Sequence, residues 1–118
     1  MNHQFSQNKL RAIAGNFDDA DIIRRRMSGI SAHYSNRSIV VMEEISGIVN
    51  LVSSQGSILI GDRVCGTSKI TAYKDVIIKG RISGTVKITA QTGNIYLNGK
   101  VSGICQLNAP QGSVIDIV

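Results

Sequence analysis

Few residues in this 118-residue chain are of the kinds that carry out chemistry. There are two histidines, His3 and His33, and two cysteines, Cys65 and Cys105. Neither histidine has companions at metal-ligand spacing, so no zinc site is expected. The cysteines lack Cys-x-x-Cys spacing, and two of them cannot make a disulfide scaffold. A nucleophilic Cys65 would need a base beside it, and its neighbours are Arg63 and serines. The acids of the chain's second half stand apart: Asp62, Asp75 and Asp116. Glu43-Glu44 are adjacent, and nothing pairs them for acid–base work. The glycines form no phosphate-cradling loop. The chain reads as a non-enzyme with no cofactor and no metal.

The charge balance says little more. Net charge is +5, but only 18% of residues are charged and the bases are scattered. Their one run is Arg24-Arg25-Arg26. No aromatic residues are interleaved with it, so a nucleic-acid partner is not expected. No apolar run approaches the length of a membrane span, and the first residues lack the pattern of a signal peptide. With its two scattered cysteines the chain reads as a cytoplasmic-type protein.

What the residue types leave open, their periodicity decides. Written in lines that start at 27, 45, 64, 82 and 101, the chain repeats every 18 or 19 residues. Four lines open with Ile or Val and one with Met. Each has Gly two places on, at Gly29, Gly47, Gly66, Gly84 and Gly103. Four lines carry an aliphatic residue four places further: Leu51, Ile70, Ile88 and Leu107. Within a line the alternation has period two. Ile82, Gly84, Val86, Ile88 and Ala90 point one way, and Ser83, Thr85, Lys87 and Thr89 the other. Corners such as Gln91-Thr92-Gly93 follow, then a second short alternation through Ile95 and Leu97. By this register Cys65 faces out with Ser46, Ser83 and Ser102, while Cys105 faces in with Val49 and Val86. His33 takes an inward place held elsewhere by Leu or Ile.

Two architectures accommodate the lines. In a β-solenoid each line is one coil and like residues stack into a continuous core. In an antiparallel meander each line is two strands, and Asn98-Gly99 and its equivalents are hairpin turns. The solenoid is favoured because stacking buries one continuous core, and inward glycine at one fixed place suggests a tight bend or a close backbone approach. The fold expected is all-β, a parallel β-helix of five coils over residues 27–118, about 24 Å tall at the spacing of adjacent strands.

The steps Gly80-Arg81-Ile82-Ser83-Gly84 and Gly99-Lys100-Val101-Ser102-Gly103 resemble the recurring Gly-x-Val-x-Gly steps of bactofilins. Those are polymer-forming bacterial cytoskeletal proteins with a β-helical core. The resemblance covers about residues 39–118 and implies a scaffold that polymerises. The chain departs from that pattern in a longer step after the second glycine and in its N-terminal segment.

Residues 1–26 break the repeat. Leu10, Ile13 and Phe17 have helical spacing. Asp18, Asp19 and Asp21 precede the three arginines, the order a helix dipole prefers. The expectation is a short helical cap on the first coil. At the other end the chain runs through an apolar stretch, Ser113 to Val118, which suggests end-to-end association.

Two outward columns mark candidate surfaces. Arg63, Arg81 and Lys100 precede successive coil openings and form a basic ladder. Val40, Leu59, Ile77, Tyr96 and Ile115 each lie between two inward aliphatics, so one wall is apolar on both faces. Leaving such a stripe wet costs about 25 cal/mol per Å². The N-terminal segment is expected to cover its near part, and a second copy of the chain its far part. The function expected is a structural scaffold acting through self-association. The alternative is a small protein-binding inhibitor that occludes a partner enzyme's active site.

Overall fold

The computed structural model describes residues 20–116. Each line of the repeat folds as one coil of a parallel β-solenoid. The described chain is built of strands without a helix: β1 (Asp21–Ile23), β2 (Ile30–Ser35), β3 (Ile39–Val41), β4 (Ile48–Ser53), β5 (Ile58–Ile60), β6 (Thr67–Ala72), β7 (Val76–Ile78), β8 (Thr85–Ala90), β9 (Ile95–Leu97), β10 (Ile104–Asn108) and β11 (Val114–Asp116). A broad sheet has the order β10-β8-β6-β4-β2, and a narrow sheet of three-residue strands the order β1-β3-β5-β7-β9-β11. Every pairing is parallel, which excludes the meander. A third side consists of single bridges, Met27–Ile45–Val64–Ile82–Val101. These are the opening residues of the five lines.

Stacking puts like on like, as the period requires. Leu51, Ile70 and Ile88 are paired in succession and fully buried. Ile39, Ile58, Val76 and Ile95 form a second such column on the narrow sheet. β-branched residues suit it, since they pack well on a pleated surface.

Glycine at the third place of each coil is explained by a close approach. Gly84 has φ of 86°, and a Cβ on it would lie 2.4 Å from the Gly66 carbonyl oxygen of the preceding coil. Both the backbone conformation and the space reserve this place for glycine. At the first place in the column, Gly29 (φ 66°), no described atom comes within 4 Å of such a Cβ.

The corners between broad and narrow strands carry a ladder that the repeat does not announce. Ser57 N–H donates to Ser38 Oγ and Asp75 N–H to Ser57 Oγ, each at 3.0 Å. Asn94 N–H donates to Asp75 Oδ1 at 2.8 Å, and Ser113 N–H to Asn94 Oδ1 at 2.9 Å. Each corner side chain thus caps a backbone donor of the next coil, which turns away from the sheets and would otherwise be left unpaired.

The helix expected to reach Arg26 is corrected at its described end. Asp21–Ile23 is strand β1, paired with Ile39–Val41. Asp21 N–H donates to Ser38 O at 2.8 Å, and Met42 N–H to Ile23 O at 2.9 Å. A helix this short is marginal in water, whereas the sheet edge offers ready partners to a β-branched pair. The solenoid therefore begins before residue 27. The rest of the cap, with Leu10, Ile13 and Phe17, lies outside the described residues.

Asp21 takes an inward place in β1, and its Oδ2 sits 3.1 Å from His33 Nε2. His33 is in register with Leu51, the inward place the repeat assigned it. Hydrogen bonds from Ser35 and then His33 hold the Asp21 carboxyl below the usual 3.8. A first coil with Ser31, His33 and Ser35 inward is thus a polar end to an aliphatic core.

Gly84→Ala combines backbone strain with a clash and should cost about 2–5 kcal/mol in chemical denaturation. Gly29→Ala carries the strain alone and should cost about 1–2 kcal/mol. Equal losses at the two positions would show that the close approach is not what demands glycine. Asp21, with its depressed folded-state pKa, contributes stability above its unfolded pKa and loses it as pH falls through the lower folded value. Asp21→Asn should therefore be less stable than wild type at neutral pH, and urea titrations should show that gap closing below 3.8.

Candidate interaction surface

The basic ladder is present as a backbone column. Ile45 N–H donates to Arg63 O, Val64 N–H to Arg81 O and Ile82 N–H to Lys100 O. All three basic side chains are exposed. Arg63 Nε donates to Glu44 Oε2 at 3.0 Å, a bond that raises the arginine's pKa further. Arg81 and Lys100 make no ion pair among the described residues. An exposed pair such as Arg63–Glu44 adds little stability. Among the described residues the ladder thus has two cations without an ion pair.

The apolar stripe is also in register: Val40, Leu59, Ile77, Tyr96 and Ile115 stack across the narrow sheet, preceded by Ile22. It forms a second apolar cluster outside the main core. The expectation that a second copy covers its far part meets a single chain in which Ile77 is 0% and Tyr96 only 7% exposed. Ala20, where the described chain begins, packs against the same cluster. Asn94 Nδ2 donates to Tyr96 Oη at 3.0 Å. The middle of the stripe is thus no open surface.

Large exposed apolar side chains gather elsewhere, on the outer face of the broad sheet. Ile30 is 88%, Ile48 56% and Ile104 70% exposed. These side chains share one outward column with Thr67 and Thr85, because β2, β4, β6, β8 and β10 are paired without slip. Beside that column runs a second, Ala32, Asn50, Lys69, Lys87 and Gln106. Together they line a shallow groove of about 640 Å³ across the first halves of the broad strands. Tyr34, 65% exposed, stands next to it and its Oη accepts from Asn50 Nδ2 at 2.8 Å. The Asn50 Oδ1 atom is buried with no partner among the described residues.

The groove is lined largely by apolar atoms, and two lysines paired on adjacent strands, Lys69 and Lys87, border it. Neither Lys69 nor Lys87 has an ion pair among the described residues. Sequence reasoning passed over this face because each line alone contributes one modest residue to each column. The period-two alternation marks Ile30, Ile48 and Ile104 as outward, and that signal was sufficient to find it. No cluster of His, Cys, Asp and Glu among the described residues could hold a metal ion.

The cysteines take the registers the repeat gave them, with Cys105 paired to the inward Val86. Cys105 is half-buried, since among the described residues β10 has a strand on one side only. Desolvation raises its pKa. Cys65, opposite the carbonyl of Ile45, belongs to the bridge side. Thiol labelling at neutral pH should modify Cys105 more slowly than a solvated thiol, because desolvation disfavours the thiolate that reacts. Equal rates would show that facing the solenoid interior does not protect Cys105.

No protein-family model, curated protein or solved structure matches this chain.

Proposed function

We propose that this protein is a non-enzymatic scaffold that works by protein–protein contact, made at the outer face of the broad sheet. The observation that carries the reading is the column Ile30, Ile48 and Ile104, three large aliphatic side chains that are each more than half exposed on one face. Ile30 and Ile48 are neighbours and Ile104 lies beyond Thr67 and Thr85; large exposed apolar side chains gathered on one face of a stable fold mark an interaction site. A stack of paired strands is also a rigid platform, because every outward column is held in register by the backbone beneath it. The likeness of the Gly-x-Val-x-Gly steps to those of bactofilins supports a scaffold role and, with it, self-association.

The second reading, a small binding protein that docks on another protein, is favoured by Lys69 and Lys87. A two-fold copy laid face to face would set lysines against lysines, and like charges opposed in an interface are unfavourable.

Sedimentation of the wild type and of the double variant Ile48→Asp/Ile104→Asp tests both. A scaffold that self-associates through this face should show concentration-dependent mass that the double variant loses while keeping its circular dichroism. A wild type that stays monomeric at high micromolar concentration rules out self-association and leaves binding of a different protein.

A further inference from the structure

The residues of the broad-face groove define what it would hold, an inference that rests on the reading of this face as a contact surface. Lys69 and Lys87 are Cα partners on adjacent strands, about 4.8 Å apart. Lys69 and Lys87, with attachment points fixed this close by the register of β6 and β8 and no ion pair among the described residues, concentrate positive charge here and repel each other. An anionic group lying between them relieves the repulsion. The next column offers aliphatic surface on both sides: Ile48 on β4 and Ile30 on β2 in one direction, Ile104 on β10 in the other. Thr67 and Thr85, on the same strands as the lysines, place hydroxyl groups between those aliphatic ends.

We infer that the groove binds an acidic protein segment that carries aliphatic side chains beside its carboxylates. The carboxylates sit over Lys69 and Lys87, and the aliphatic groups cover Ile48 and Ile104. Charge complementarity alone would suit any polyanion. The exposed isoleucines select a protein ligand, since a phosphate backbone has no apolar groups with which to bury them. The basic ladder is not part of this site. Arg63, Arg81 and Lys100 precede the bridge residues of the third side, and none of them lines the groove.

The test uses the full chain and a fluorescent-labelled heptapeptide, Glu-Ser-Val-Ser-Glu-Ser-Val, whose glutamates and valines share one face when extended, read by anisotropy. Saturable binding is expected at low salt, weakened in about 0.5 M salt, where charges beyond a few ångströms are screened. The double variant Lys69→Glu/Lys87→Glu should weaken it by about tenfold or more. Ile48→Ser should weaken it as well, and Arg81→Glu should leave it unchanged. Circular dichroism checks that each variant remains folded, and Lys69→Ala/Lys87→Ala replaces the charge reversal if that variant does not. Equal affinity for the same peptide with lysine in place of each glutamate would overturn the acidic specificity. So would binding that the lysine variants leave intact while Ile48→Ser abolishes it, an outcome under which the contact surface itself stands. A single-stranded oligonucleotide that binds as tightly as the peptide, with no effect of Ile48→Ser, would make the site a general polyanion surface. If neither the lysine nor the isoleucine variants affect binding, or if none is detected up to millimolar peptide, both this inference and the reading of the face as a contact surface fail.

Discussion

The structure depends on one constraint: each coil must present its backbone to the next in parallel register. The ladder of N–H and C=O groups on the broad and narrow sheets runs between coils, not within them. A polar group that missed its partner in the next coil would be buried and unpaired at a cost of about 1–3 kcal/mol. Each residue type is therefore answerable to the residues 18 or 19 places away as much as to its neighbours in sequence. The Gly column follows directly, because the coils approach so closely at that bend that Gly66 backbone occupies the space where a Gly84 Cβ would be. The corner ladder follows too. Where the chain turns out of the sheets, Ser38, Ser57, Asp75 and Asn94 supply the acceptors that strand pairing no longer provides.

The same constraint separates stability from recognition. Inward columns must be aliphatic and closely matched, and the core from Met27 to Leu97 is built almost wholly of Ile, Val, Leu and Ala. The outward columns of the broad sheet are free of that demand, so they can change identity from coil to coil. In the outward column of the broad face, Ile48 gives way to Thr67 and Thr85 and then to Ile104. That freedom is how a repetitive fold acquires a local, non-repeating surface. The inward acids of the outermost narrow strands, Asp21 and Asp116, belong to a different pressure. An inward-pointing charge on a sheet edge discourages further pairing. Asp21 is accommodated there by His33 and Ser35.

Much of this was legible in the residues alone. The period of 18 and 19, the positions of the glycines and the two-residue alternation determined the coils, the inward and outward sets and the place of His33 and of both cysteines. These are properties of spacing, and parallel pairing converts spacing into contact. The tertiary structure decided the rest. It placed Asp21–Ile23 in a strand although the charges around it suit a helix, because an open sheet edge outweighs a helix dipole worth a few tenths of a kcal/mol. It buried Ile77 and Tyr96 on an outward column, since alternation tells which face a side chain leaves from and not what lies over that face. It gathered Ile30, Ile48, Ile104, Lys69 and Lys87 into one groove, because five residues drawn from strands up to some 75 positions apart become neighbours only once the coils have stacked.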